Sequence, residues 1–346
     1  MSKPVHIVKV AARTPVGLSA LGTAAALRAG ISRLSLHPFM VDPAGEALRC
    51  GRDTELAPEL LGTARLAALA TAALEELLEQ PVTRGSIPVL LALPEARPGF
   101  GEHDAARVLG ALHQLDLDDS PELAVRQAAA GHAGALKALG EAAAAIRQGQ
   151  YQLCAVGGVD SYLEADTLDW LDAQLMLSRE GVRGGFPPGE AAAFVLLASD
   201  AACRALKLQP LASVVGSAHA QERRTRDSEE GFLGEALAEA IVGASASLAL
   251  PEQQVTDVFC DINGERMRTD DWGFALLRAQ HVFRDATHYV SPIAELGDIG
   301  AAAGALSAVL AVESFRGKYA RGARALLWGA SWSGLRAACV LSSGRS

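Results

Sequence analysis

The chain has 346 residues, half of them hydrophobic and only 5% aromatic, which supplies a sizeable α/β core packed around Ala and Gly. Its formal net charge of -9 argues against the Lys/Arg-rich surfaces that nucleic acid or an anionic membrane would need. Five scattered cysteines (Cys50, Cys154, Cys203, Cys260, Cys339) fall in no CxxC spacing. Neither a metal site nor a disulfide framework is expected, no cofactor is implied, and a reducing cytoplasm suits the pattern. The stretch MSKPVHIVKVAARTPVG lacks a secretory h-region, and the apolar run near Gly300–Val312 is too short and Ala/Gly-rich to span a bilayer.

Val5–Val10 predicts a strand, and Gly22–Ala29 a helix. Residues 38–62 read as irregular. Leu61–Leu78 has helical periodicity, Ile87–Leu93 is a buried strand, and residues 94–120 hold a loop and a short helix. A small-residue turn, Gly131-His132-Ala133-Gly134, then leads into a helix. Its Leu136, Leu139, Ala142, Ala143 and Ile146 share one apolar face. Gly149 ends that helix, and the strand Leu153–Val156 is expected to stop at Gly157-Gly158. Asp160–Leu175 reads as a helix, Gly181–Pro188 as a loop and Ala191–Leu197 as a strand.

Near Leu206–Pro210 the pattern restarts. Strands are expected at Ala212–Val215, Val255–Asp261, near Tyr289, at Ala325–Trp328 and at Ala337–Leu341. Helices are expected over Leu233–Leu248, Trp272–Gln280 and Ala301–Phe315, and Glu222–Glu230 reads as a solvated loop. Alternating strands and helices in both parts predict two similar α/β halves, 1–205 and 206–346, sharing one interface.

Four stretches occur in one order: AARTPVGLSA (Ala11–Ala20), Arg147–Asp160, GFPPGEAAAFVLL (Gly185–Leu197) and GDIGAAAGALSAVLAVESF (Gly297–Phe315). They resemble the matching segments of β-ketoacyl synthases of the thiolase superfamily. The resemblance implies the thiolase fold, with duplicated βαβαβαββ halves in a five-layer α-β-α-β-α arrangement. It also implies a dimer formed through the strand ahead of the His132 turn, and an acyl-thioester or acyl carrier protein as partner.

Carried over position by position, the family's nucleophilic Cys falls on His132, its first His on Asn263 and its second His on Asp298. The family's Lys falls on Ile293. The Gly-Phe-Gly-Gly loop that lines the acyl pocket falls on Ser331, Trp332 and Ser333, with Gly131 and Ala133 completing the pocket. Gly189-Glu190 matches a structural pair.

Condensation needs a thiolate to store the acyl group and donors to stabilise the enolate. An imidazole stores acyl groups poorly, and a charged Asp298 would repel malonate, so condensing activity is expected to be lost. His132 then has two readings. One is a general base oriented by Asp298, its pKa lowered by the helix start, with Asn263 or a backbone N–H as oxyanion donor. The other is a histidine that fills a vacated pocket. Asp298 also reads as a helix cap and Asn263-Gly264 as a turn.

The leading function is a non-catalytic acyl- or protein-binding scaffold. Two assemblies follow from the resemblance: a ketosynthase partner subunit, or an adaptor like the ketosynthase-like proteins of type VI secretion, which GGVDSYLEADTLDWLD (Gly157–Asp172) resembles. The alternative is an acyltransferase or thioesterase that uses His132, Asp298 and Asn263.

Overall fold

The computed structural model describes residues 3–41, 45–80, 82–83, 85–115, 121–179, 181–224, 228, 231 and 233–344. The first half runs β1 (Val5–Arg13), α1 (Ala20–Arg28), β2 (Leu34–Val41), β3 (Ala47–Gly51), α2 (Gly62–Leu78) and β4 (Ile87–Ala92). It continues with α3 (Glu102–His113), β5 (Leu123–Gln127), α4 (Gly134–Arg147), β6 (Leu153–Ser161), α5 (Ala165–Ala173), β7 (Glu190–Ser199) and α6 (Asp200–Ala205). The second half holds β8 (Ala212–Gln221), α7 (Glu235–Ala244), β9 (Asp257–Phe259), α8 (Arg266–Ala279), α9 (Ile293–Leu296), α10 (Ala303–Arg316), β10 (Arg324–Ala330) and β11 (Leu335–Ser343).

Among the described residues, nine strands hydrogen-bond in the order β5-β4-β6-β7-β1-β8-β11-β10-β9. The order has an internal symmetry. Outward from the junction of β1 and β8, where His6 faces Ser213, one direction meets β1, β7, β6 and β4, and the other meets β8, β11, β10 and β9. Each series takes the first strand of its half, then the last, then the one before it. The pairings agree as well, since β1–β7 and β8–β11 are antiparallel, as are β6–β7 and β10–β11, while β4–β6 and β9–β10 are parallel.

Three layers of helix enclose the strands. Helices α4 and α10 pack between strand faces from both halves in one apolar cluster that includes Leu136, Leu139, Val309, Val195 and Leu327. Helices α2 and α3 cover the outer face of the first half through Leu69, Leu74 and Val108. Helices α7 and α8 cover the second through Ile241 and Trp272. Strands β6 and β7 are buried on both faces, which explains their unbroken apolar runs.

Several expectations are corrected. Residues 38–62 are not irregular throughout, because β2 and β3 form a hairpin there and α2 begins at Gly62. Strand β6 does not stop at Gly157-Gly158 but runs to Ser161. The glycines mark close approach, since a Cβ at Gly157 would lie 2.1 Å from the Phe194 ring and one at Gly158 would lie 2.1 Å from Ala301 O. The helix expected over Asp160–Leu175 spans only Ala165–Ala173, its first residues being taken by β6. Near Tyr289 there is an isolated bridge, Val290 to Phe259, and no strand. The short helix α6 was not foreseen. In the stretch read as a solvated loop, Glu222 is buried and accepts from the N–H groups of Arg223 and Arg224; residues 225–227 and 229–230 lie outside the described residues.

Candidate functional site

His132 sits in the turn between β5 and α4, at the meeting point of the two halves. Gly131 holds a left-handed backbone (φ 73°), and a Cβ there would meet Glu95, so the turn needs glycine. From the second half, Asn263 follows β9 and Asp298 follows α9. The structure brings all three side chains together. The His132 Nε2–H donates to Asp298 Oδ1 at 2.8 Å, and Asn263 Nδ2 donates to Asp298 Oδ2. Gly300 N–H also donates to Asp298 Oδ1 at 2.8 Å, so Asp298 caps the turn that leads into α10. Asn263 Oδ1 accepts from Glu265 N–H at 2.9 Å, which makes the turn its sequence signature predicts.

A fourth residue, Arg268 of α8, completes the centre and was not anticipated from the sequence. It is fully buried. Its guanidinium pairs with Asp261 and, at 3.0 Å, with Glu265, and donates to Ala330 O at 2.5 Å. Its Nη2 lies 3.1 Å from His132 Nδ1 and 3.2 Å from Nε2. An in-plane bond to one ring nitrogen would leave the other clearly farther away, so this near-equidistance places the guanidinium over the imidazole face.

Charge on this centre follows from the contacts. Burial would push the Asp298 carboxyl up, but the charge and hydrogen bond of His132, with Arg268 and Asn263, outweigh it and hold the group well below its ordinary range. For His132, burial and the Arg268 charge push down while Asp298 pushes up and prevails. The imidazole is therefore more basic than usual. This overturns the lowered pKa expected from the helix start: an ion-pair partner at hydrogen-bond distance outweighs the dipole of one turn.

The loop residues divide by position. Ser331 is fully buried and tied to the turn, its Oγ accepting from Ala133 N–H and donating to Ala130 O, both at 3.1 Å. It braces the His132 turn and offers no free hydroxyl. Ser333 is exposed and does not line the interior. Trp332 packs edge-on against His132 with ring centres 5.9 Å apart, and also touches Tyr162 and Trp170. The backbone N–H groups of Trp332 and Ser333, paired donors of the kind that cradle anions, both point at the Glu95 carboxylate at 2.8 and 2.7 Å.

Little space remains. The cavity bounded by His132, Asn263, Asp298, Ile293 and Ser307 has a volume of about 20 Å³, room for a single water. All five cysteines are buried, and burial pushes the Cys154 and Cys339 thiols up to about 12. Beside the centre, Arg97 pairs with Asp160 at 2.6 Å and lies over the Tyr162 ring. Glu190 is bidentate with Arg65, which gives the Gly189-Glu190 pair a structural role.

The fold is the thiolase fold in the form used by ketosynthases. Among solved structures, the chain is similar to the ketosynthase from module 6 of the bacillaene synthase of Bacillus subtilis 168, with a TM-score of 0.76 and 15% identity over 99% of this chain and 72% of that one. It is similar to the ishigamide ketosynthase/chain length factor (TM-score 0.79, 15% identity), covering 99% of this chain and 100% of that one. A type II polyketide synthase acyl carrier protein in complex with its ketosynthase, bound to the hexaketide, matches with a TM-score of 0.78 and 15% identity, again over 99% and 100% of the two chains. No protein-family model matches the sequence, and no curated protein does. Among the described residues no helix is long and apolar enough to cross a membrane.

Proposed function

We propose that this chain is a non-catalytic, ketosynthase-like scaffold that binds a protein partner, its acyl-transfer centre replaced by a buried ion network. The observation that carries this reading is the filled centre. One nitrogen of His132 is bonded to Asp298, Arg268 covers the ring face, Trp332 packs against the ring, and the adjoining cavity holds about 20 Å³. A general base needs an unobstructed nitrogen facing its substrate, and a nucleophile needs room for a tetrahedral carbon. Neither is available, which weighs against the thioesterase alternative built on His132, Asp298 and Asn263.

Purified protein incubated with acyl-CoA or acyl carrier thioesters is expected to hold no covalent acyl group, to condense no malonyl unit and to hydrolyse no thioester above the uncatalysed rate. Mass spectrometry of the intact chain and thiol release measure these. Hydrolysis that disappears in His132→Ala would establish the alternative, and condensation by the native chain would overturn both readings.

The ketosynthase neighbour solved with its acyl carrier protein supports a carrier as a candidate partner. The neighbour described as a ketosynthase/chain length factor supports a partner-subunit role over that of a secretion adaptor. We further read residues 1–205 and 206–346 as the two halves, with β5 pairing across a dimer interface. Among the described residues, strand β5 is bonded only to β4, and the pairing would cover its other edge. Sedimentation at micromolar concentration is expected to show a dimer, and a monomer there would remove this interface.

A further inference from the structure

Residues 331–334 join β10 to β11 in a turn closed by Gly334 N–H, which donates to Ser331 O at 3.2 Å. The turn makes no use of the N–H groups of its two central residues, which leaves consecutive donors free to cradle an anion. Here those residues are Trp332 and Ser333. Their N–H groups meet the two oxygens of one carboxylate, Glu95 Oε2 at 2.8 Å and Oε1 at 2.7 Å.

Glu95 differs from the other carboxylates around the centre. Asp160, Asp261 and Glu265 each pair with an arginine, whereas among the described residues no Lys, Arg or His pairs with Glu95. It is half-buried on the loop after β4 and abuts the His132 turn, since a Cβ at Gly131 would lie 2.5 Å from its Oε2. What it fixes is Trp332. Ser331 Oγ ties the start of the β10–β11 turn to the His132 loop, and Glu95 ties the middle. So anchored, the Trp332 ring is set against His132, Tyr162 and Trp170.

We infer that the Trp332 and Ser333 N–H groups form a carboxylate-binding cradle, that Glu95 is its built-in occupant, and that this contact latches Trp332 over His132. The ligand class follows from the donors: two adjacent N–H groups match the two oxygens of a carboxylate. Tethering gives Glu95 an effective concentration of about millimolar or more, so the cradle stays filled against dilute carboxylates. The latch deepens the filled-centre reading, on which it rests. The two are tested separately, because the measurements below involve no acyl chemistry.

The probe is acetate, with chloride at equal ionic strength as control, and the readout is amide hydrogen exchange of the full chain in the peptide covering residues 331–335. In the native chain the Trp332 and Ser333 amides are expected to be protected and indifferent to acetate. Glu95→Ala should exchange them at least about tenfold faster, since each loses a charged acceptor. Acetate, and not chloride, should restore the protection saturably. Acrylamide quenching of tryptophan emission should rise in the same variant and fall again with acetate. Trp272 and Trp328 are 5% and 1% exposed, so the rise reports Trp170 and Trp332, and Trp332→Phe in that background should remove most of it. Glu95→Gln keeps one acceptor oxygen and sets an NH2 against the other donor, so its exchange should be intermediate, and it decides the matter should the alanine variant misfold. Unprotected native amides, unchanged exchange in both variants, or acceleration that acetate does not reverse would overturn the proposal. Thioester turnover by the native chain would overturn the non-catalytic reading and leave the acetate result as it stands.

Discussion

Replacing Arg268 with Met is expected to lower unfolding stability by about 3–5 kcal/mol, the usual cost of leaving buried carboxylates without their cation. The side chain is fully buried and holds Asp261 and Glu265, which are themselves 7% and 5% exposed. Met fills similar volume, so the loss reports the charge and not a cavity. Two buried negative charges would remain near Asp298, with His132 the nearest compensation. Urea unfolding at pH 7 measures this. A loss below about 1 kcal/mol at pH 7 would mean that the network contributes little, and the case for a deliberately filled centre would weaken.

Much of the architecture is legible in the sequence because local pattern and tertiary role agree. In α4, residues three and four apart carry Leu136, Leu139, Ala142, Ala143 and Ile146, and all five are buried in the central layer. Strand β7 is an unbroken apolar run because both its faces are covered. The failures have equally local causes. The β2–β3 hairpin hides because Pro38 and a bulge break its alternation. The Gly157-Gly158 pair looks like a strand end, whereas glycine there answers the approach of Phe194 and Ala301 from elsewhere in the chain.

Of the candidate site, His132, Asn263 and Asp298 were legible as candidates in the sequence, and their side chains meet in the fold. Arg268 was not. The stretch Glu265–Asp271 is rich in charge and resembles a solvated helix face. Its burial arises from partners at long range, Ala330 and His132, which no local pattern encodes. The signal that could have found it is chemical: two inward positions occupied by Asp261 and Asp298 require a nearby cation.

Asp298→Asn is expected to cost about 3 kcal/mol near pH 6 and distinctly less at pH 9, and the sign follows from the two shifted groups. In the native chain His132 titrates above its ordinary value, so its contribution is complete below about pH 6.5 and fades as pH rises through the raised pKa. Asp298 titrates below its ordinary value, so its contribution is complete above about pH 4 and fades as pH falls through the depressed pKa. The pair is thus most stabilising between these limits. Asparagine removes the carboxylate charge while keeping an oxygen for His132 and Gly300 N–H. Its Nδ2 would face Asn263 Nδ2, a donor against a donor, and Asn263 cannot turn over without giving up its bond from Glu265 N–H. Without Asp298, burial and Arg268 dominate at His132 and push its pKa down, so the variant should hold a neutral imidazole at pH 7. NMR titration of the His132 ring in both proteins reads this directly, and urea unfolding from pH 5 to 9 reads the stability difference. A difference that stays flat across that range would show that the His132–Asp298 contact carries no ionic component.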